Sequence, residues 1–410
     1  MSQRKAVTRA TAIRYRSASK NDKARILAEL CQLTGWHRDH ARKALRTALG
    51  PKPVARQRTA RPPVYGEAVL APLRKVWAVL DAPTGKRLAP FLPEIVAALE
   101  RCGELDLDPG VRAKLVVMSA ATIDRRLAPE RKKMQLKGRS GTKPGSLLKS
   151  RIPIRTWADW DEHKPGFVEI DLVGHEGGNP RGEFCQTLNV VDIHTAWTEP
   201  RAVKNKAQKW VHPALKEIID AVPFTILGID SDNGSEFIND QLLGYCETNQ
   251  ITFTRSRPGN KNDGCHVEEK NWSVVRQAVG YHRYDTDAEL ALLNQIYALL
   301  RLQINFFSPH QKLVSKRREG AKVIKRYDTA HTPYQRILAD KNVTKKVKNE
   351  LTRQYRTLNP AQIRRDIIAL SDQLLELVKA KHQPTRPPVT PPASSRAKTG
   401  ESTKPRTRAS

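Results

Sequence analysis

Between Phe167 and Thr254 the apolar residues stop recurring at helical spacing and begin to alternate, and this change limits the fold more than any other feature of the chain. The pattern predicts strands over Phe167–Val173, Phe184–Ile193 and Ala196–Val203. A helix follows over Gln208–Val222, with Trp210, Leu215, Ile218 and Ile219 on one side. Phe224–Asp230 is continuously apolar, as in a strand covered on both faces. Ile238, Leu242 and Tyr245 line up on a further helix, and Ile251–Thr254 reads as a short strand. A polar loop, Ser256–His266, leads into a helix starting near Val267. Thr286 and Glu289 then form a capping box for a long apolar helix ending at Phe306. Strands mixed with helices in this order make an α/β core over residues 165–307.

The flanks are helical. Residues 1–63 read as a helix-turn-helix segment and linker. Ser19 and Asp22 resemble a capping box, Gly35 offers the turn, and a second helix, His37–Leu49, turns Arg38, Arg42, Lys43 and Arg46 outward. Residues 64–130 read as a second helical DNA-binding domain, with Val111–Val117 and Ala120–Leu127 as its helix-turn-helix and Arg125 and Arg126 outward. Gly85-Lys86 is no phosphate loop, because Arg87 stands where Ser or Thr is required. Residues 131–164 form a basic linker, residues 308–382 a basic helical region, and residues 383–410 a disordered tail rich in Pro, Ser, Thr and basic residues. The fold class is therefore multidomain, with an α/β core between all-α flanks.

Charge narrows the partner. The 410 residues carry 72 Lys and Arg against 42 Asp and Glu, a formal net charge of +30. An excess of this size, spread over most segments, implies a polyanion, and nucleic acid is the default. No stretch approaches a membrane span, and the basic N-terminus lacks the apolar run of a secretory signal. The cysteines, Cys31, Cys102, Cys185, Cys246 and Cys265, are scattered and read as reduced thiols of a cytoplasmic protein.

Three carboxylates stand where chemistry would place them. Asp171 closes the first strand, Asp232 follows the continuous apolar strand, and Glu268 opens the helix after the polar loop. Ligands bind in the crevice at strand ends of such sheets. A carboxylate there is costly to desolvate unless a cation compensates it, and converging carboxylates suit Mg²⁺. Asp230, Glu236, Asp192 and Glu269 are near neighbours. Asp192 closes the second strand and reads as structural, near enough to serve as a reserve ligand, and Glu269 points about 100° away from Glu268 around the helix. His175, His194 and His266 read as solvated.

The words around these residues carry a resemblance. Asp232-Asn233-Gly234-Ser235-Glu236-Phe237, Ser256-Arg257-Pro258-Gly259, Asn262-Asp263-Gly264 and Val267-Glu268 resemble the DDE transposases of the retroviral-integrase superfamily. Residues 233–267, 35 in all, separate Asp232 from Glu268, the interval that names the D,D-35-E pattern. The helical leader, with Gly85-Lys86-Arg87-Leu88-Ala89-Pro90 and Ser119-Ala120-Ala121-Thr122-Ile123-Asp124, resembles bacterial insertion-sequence transposases of the ISNCY type.

The resemblance implies a ribonuclease-H-like core in which Asp171, Asp232 and Glu268 are catalytic and hold Mg²⁺ or Mn²⁺, two ions in the usual scheme. It implies that the loop Arg257–His266 is mobile and closes on DNA. Trp272 stands where retroviral members have a Lys, and Lys270, Asn271 and Arg276 are nearby substitutes, with Arg257 and Lys261 as further DNA contacts. The activity implied is cleavage of transposon ends and joining of the 3′-hydroxyl to target DNA, by a homo-oligomer on double-stranded DNA. A DNA-binding regulator with an inactive core and a nuclease of the same fold are the rival readings.

Overall fold

The computed structural model describes residues 2–50, 64–132, 163–231, 236–237, 239–255 and 265–382. The expected linkers at 51–63 and 133–162, Asp232 and its neighbours to 235, the loop from Ser256 to Gly264, and the tail from 383 lie outside the described residues. The chain divides into two compact units, Met1–Val64 and Tyr65–Ser410.

The first unit is three helices, α1 (Ser2–Ser17), α2 (Lys20–Thr34) and α3 (Arg38–Ala48). Ala12, Leu27, Leu30, Ala41 and Leu45 form its small core, so α1 is an integral part although its polar sequence did not announce it. The Ser19 side chain accepts from the Asp22 backbone N–H at 3.3 Å, and Gly35 ends α2 in the left-handed conformation, as the sequence implied. In place of the reciprocal half of a capping box, the Asp22 carboxylate takes the Ser19 hydroxyl at 2.7 Å.

The second unit opens with α4 (Glu67–Val79), α5 (Gly85–Arg101), α6 (Pro109–Val116) and α7 (Ala120–Lys132). A sheet follows from β1 (Phe167–Gly174), β2 (Gln186–Asp192) and β3 (Thr198–Val203), which lead through α8 (Gln208–Ala221) to β4 (Gly228–Ser231), then α9 (Asp240–Thr248) and β5 (Thr252–Arg255). Strand order is β3-β2-β1-β4-β5, antiparallel from β1 through β3 and parallel from β1 through β5. The parallel joins need crossovers, which α8 and α9 provide. Strand β4 is shorter than the apolar run Phe224–Asp230 suggested, beginning only at Gly228.

Next come α10 (Cys265–Lys270), a π-helical turn (Asn271–Arg276), α11 (Gln277–Val279) and α12 (Asp287–Phe307), the last opened by the expected Thr286–Glu289 capping box. A two-stranded ribbon, β6 (Leu313–Glu319) and β7 (Lys322–Tyr327), interrupts the region read as helical. Helices α13 (Pro333–Ala339), α14 (Lys345–Thr357) and α15 (Pro360–His382) complete the described chain.

Alternation along β1 separates two faces. Val168, Ile170 and Leu172 join Leu188, Val190, Ile229 and Phe253 in a core covered by α8 and α9. The opposite face meets α10 and a second core that runs from Val69 on α4 through Tyr297 on α12 to Val378 on α15. The helices before and after the sheet thus share one apolar interior with it.

Candidate active site

The polar positions of the sheet fall on the α10 side. Glu169 and Asp171 are two apart on β1 and so share a face. Register places Asn189 opposite Asp171, and Asp230 and then Thr254 alongside Glu169. Ser231, the last residue of β4, is level with Ile170, so β4 ends one residue short of the level of Asp171.

Asp171 is half-buried, and its carboxylate is held from two directions. Oδ1 accepts the Leu172 backbone N–H at 2.8 Å. Oδ2 accepts from Asn271 Nδ2 at 2.6 Å, and Asn271 Oδ1 in turn accepts from Asn189 Nδ2 at 3.0 Å. Asn271 lies three residues after Glu268, where side chains on one helix are neighbours. The bond therefore brings the strand of Asp171 and the helix of Glu268 onto adjoining elements.

A second tie, which sequence reasoning missed, fixes the same helix. Glu169 is buried to 1 % exposure, and its Oε2 accepts the Val267 backbone N–H at 3.0 Å. That N–H belongs to the first turn of α10, whose amides have no partner within the helix. Asp230, equally buried, accepts from the Thr254 hydroxyl at 2.6 Å. Such bonds offset the cost of burying carboxylates. The signal for Glu169 was available in the two-residue period from Asp171; the signal for Asn271 was not, because its contact spans 100 residues.

The two glutamates separate as helical geometry requires. Glu269 Oε1 lies 3.3 Å from Arg87 on α5, so Glu269 turns toward the leader helices and Glu268 occupies the adjacent direction. Beyond them the wide π turn carries Trp272, largely exposed, and Arg276, which is buried. The Arg276 guanidinium donates to the Gly174 carbonyl at 2.7 Å and lies over the Tyr281 ring at 4.8 Å, turned into the protein. Burial pushes the Lys270 ammonium down to about 8; Glu269 draws it back up, while Arg87 and Arg336 add to the fall.

The remaining basic candidates are at the surface or outside the described residues. Arg38, Lys43 and Arg46 are exposed on α3, Arg42 is half-exposed beside Asp39, and Arg125 and Arg126 are exposed on α7. Arg257 and Lys261, like Asp232, lie outside the described residues. His175 is fully buried rather than solvated, its Nε2 2.7 Å from the Thr187 hydroxyl, and His194 pairs with Asp340 at 2.8 Å. Asp192 is structural, accepting from Gly166, Thr195 N–H and the Thr195 hydroxyl.

Residues 161–261 match the integrase core domain family. The chain is 40% identical over 323 residues to the uncharacterized protein y4rM of Sinorhizobium fredii, a match covering 79% of this chain and 91% of that one. Among solved structures it is similar to the catalytic core domain of BIV integrase, at 18% identity and a TM-score of 0.29, over 42% of this chain and 91% of that chain. It is also similar to the HTLV-2 integrase catalytic core domain in complex with magnesium, at 14% identity and a TM-score of 0.27, over 36% of this chain and 90% of that chain. Residues 161–261 thus carry an integrase core of the DDE transposase and retroviral-integrase superfamily, and the chain as a whole belongs to one family with y4rM.

Proposed function

We propose that the protein is a transposase that cleaves the ends of a DNA element and joins each 3′-hydroxyl to target DNA, with Asp171, Asp232 and Glu268 as the catalytic carboxylates. The integrase core supports polynucleotidyl transfer on DNA as the class of activity. The observation that carries the finer reading is the Asn271–Asp171 bond at 2.6 Å, which ties the strand carboxylate to the helix that bears Glu268. In the sequence Asp232 directly follows Ser231, the last residue of β4.

The donor set is carboxylate oxygen throughout, which fits a hard divalent cation such as Mg²⁺ or Mn²⁺. When bound, two such ions would activate the attacking oxygen and stabilise the leaving oxygen of a phosphodiester. Asn271 orients Asp171, and Glu169 holds the start of the Glu268 helix. Arg38, Arg42, Lys43 and Arg46, with Arg125 and Arg126, would meet the phosphates of the element's ends. Arg257, Lys261 and Lys270 would hold DNA near the carboxylates. Double-stranded DNA is then the partner, two ends call for a homo-oligomer on DNA, and the cytoplasmic nucleoid is the place of action. No described helix is long and apolar enough to cross a membrane.

The test is strand transfer. Purified protein, Mg²⁺ or Mn²⁺, labelled duplexes carrying the element's ends and a supercoiled target plasmid should give joined product, and Asp232→Asn none. Metal-dependent cutting without joining would make the protein a nuclease, and tight binding with neither reaction a regulator.

A further inference from the structure

The ribbon β6–β7 departs from the economy of the rest of the unit. All of its residues are exposed except half-buried Ile324, and its strands pack chiefly on one another. A strand pair normally earns its place by covering a core with one face. Here neither face does so. Cross-strand register puts Arg318 with Val323 and Lys316 with Lys325 on one face, and Glu319 with Lys322, Arg317 with Ile324 and Ser315 with Arg326 on the other. Each face therefore carries three basic residues, against a single acid, Glu319, which pairs with Arg317. Lys316 and Lys325 stand directly opposite one another, an arrangement that destabilises a ribbon in water.

What holds the ribbon out is its base. Lys312 and Asp328 close the ladder, with the Asp328 N–H donating to the Lys312 carbonyl at 3.0 Å and the Lys312 N–H to Asp328 Oδ1 at 2.6 Å. The Asp328 carboxylate is pinned by Arg336 at 2.8 Å, and His310 and His331 exchange backbone bonds just below. Lys312 Nζ donates to the His194 carbonyl at 2.8 Å in the β2–β3 turn. That turn lies beyond Val168, at the opposite end of β1 from the level at which β4 stops. A stiffly rooted projection thus carries same-sign charge that nothing in the fold requires.

We propose that β6–β7 is an arm that grips the phosphate backbone of duplex DNA outside the carboxylate site. The major groove admits a two-stranded ribbon, and lysines and arginines on either face can then meet phosphates without reading sequence. One face at a time would contribute about three phosphate contacts, each steepening the logarithmic salt dependence of binding by about 0.9. The inference takes DNA as the partner from the proposed function, but not the chemistry of transposition.

The experiment compares the full chain with a variant in which Lys316, Arg317, Arg318, Lys322, Lys325 and Arg326 are all changed to Gln. A charge-preserving variant, R317K/R318K/R326K, serves as the folding and charge control. Binding to a fluorescent 30-base-pair duplex of arbitrary sequence is titrated from about 50 to 300 mM salt, and strand transfer is measured in parallel. The neutral variant should bind at least tenfold more weakly near 100 mM salt, with a salt slope shallower by about 3. The charge-preserving variant should match wild type in both. Affinity within twofold of wild type and an unchanged slope would overturn the arm, as would an effect confined to oligomeric state, which would make the ribbon a contact between copies. If wild type binds duplex and the ribbon effect appears without strand transfer, the arm stands and the transposase reading falls.

Discussion

Asn271 donates to Asp171 at 2.6 Å across 100 residues of sequence, and the same amide group accepts from Asn189 at 3.0 Å. A carboxylate held in this way has its orientation set before any cation arrives. Hydrogen bonds to charged groups contribute about 1.5–3 kcal/mol, and each 1.4 kcal/mol is a factor of ten. Asn271→Leu should therefore lower strand transfer roughly 10- to 100-fold while leaving duplex binding intact. Adding Asn189→Ala should cost little more, because both act through one chain of bonds. Activity within twofold of wild type in Asn271→Leu would sink this role.

Glu169 serves the other end of the same helix. In Glu169→Leu the Val267 N–H loses its acceptor inside the protein, at a cost of about 1–3 kcal/mol. Chemical denaturation should show that loss, and hydrogen exchange should quicken over residues 265–279. Glu169→Gln keeps one acceptor oxygen and should lose less. Equal stability of all three proteins would show that the bond does not hold the helix.

Acid should weaken the fold through His175. Burial first, and then the charge of Arg276, hold its imidazole down to about 3, against about 6.5 in an unfolded chain. The folded protein keeps the ring neutral while the unfolded chain takes up a proton, so the stability this residue contributes is present above pH 6.5 and is lost as pH falls toward 3. Between pH 6.5 and 5, wild type should lose roughly 1.5 kcal/mol more than His175→Gln in urea unfolding. Parallel losses would exclude His175 as the source.

Gly85 allows the first turn of α5 to touch the start of α7. A Cβ there would lie 2.1 Å from the Ala120 carbonyl oxygen, and the Gly85 N–H donates to Asp124 Oδ1 at 2.7 Å. Gly85→Ala should cost about 1–3 kcal/mol through forced separation of the two helices. An unchanged melting temperature would mean that the contact relaxes freely.

The legible parts of this fold were those that obey a short period. Two-residue alternation located β1 to β3 and Asp171, and the interval from Asp232 to Glu268 survives any detail of packing because it is a property of the chain itself. Position 175 was misread because the imidazole gives no sign of its surroundings; only the contacts with Thr187 and Tyr284 show that it is enclosed. The ribbon was invisible for the opposite reason. Its apolar residues Leu313, Val314, Val323 and Tyr327 are exposed, so no apolar stripe marks a buried side. The role of Asn271 depends on a neighbour that only the folded sheet supplies.

The π turn from Asn271 to Arg276 sets the phase between the two ends of this helix. A regular helix turns about 100° per residue, so its two ends are locked in phase. The wide turn offsets that phase by a fixed amount, so that the first half meets Glu169 and Asp171 while the second half brings Arg276 to the Gly174 carbonyl. The segment acts as an offset coupling between two shafts: each end meets its own part of the sheet at a phase that a regular helix would not give to both.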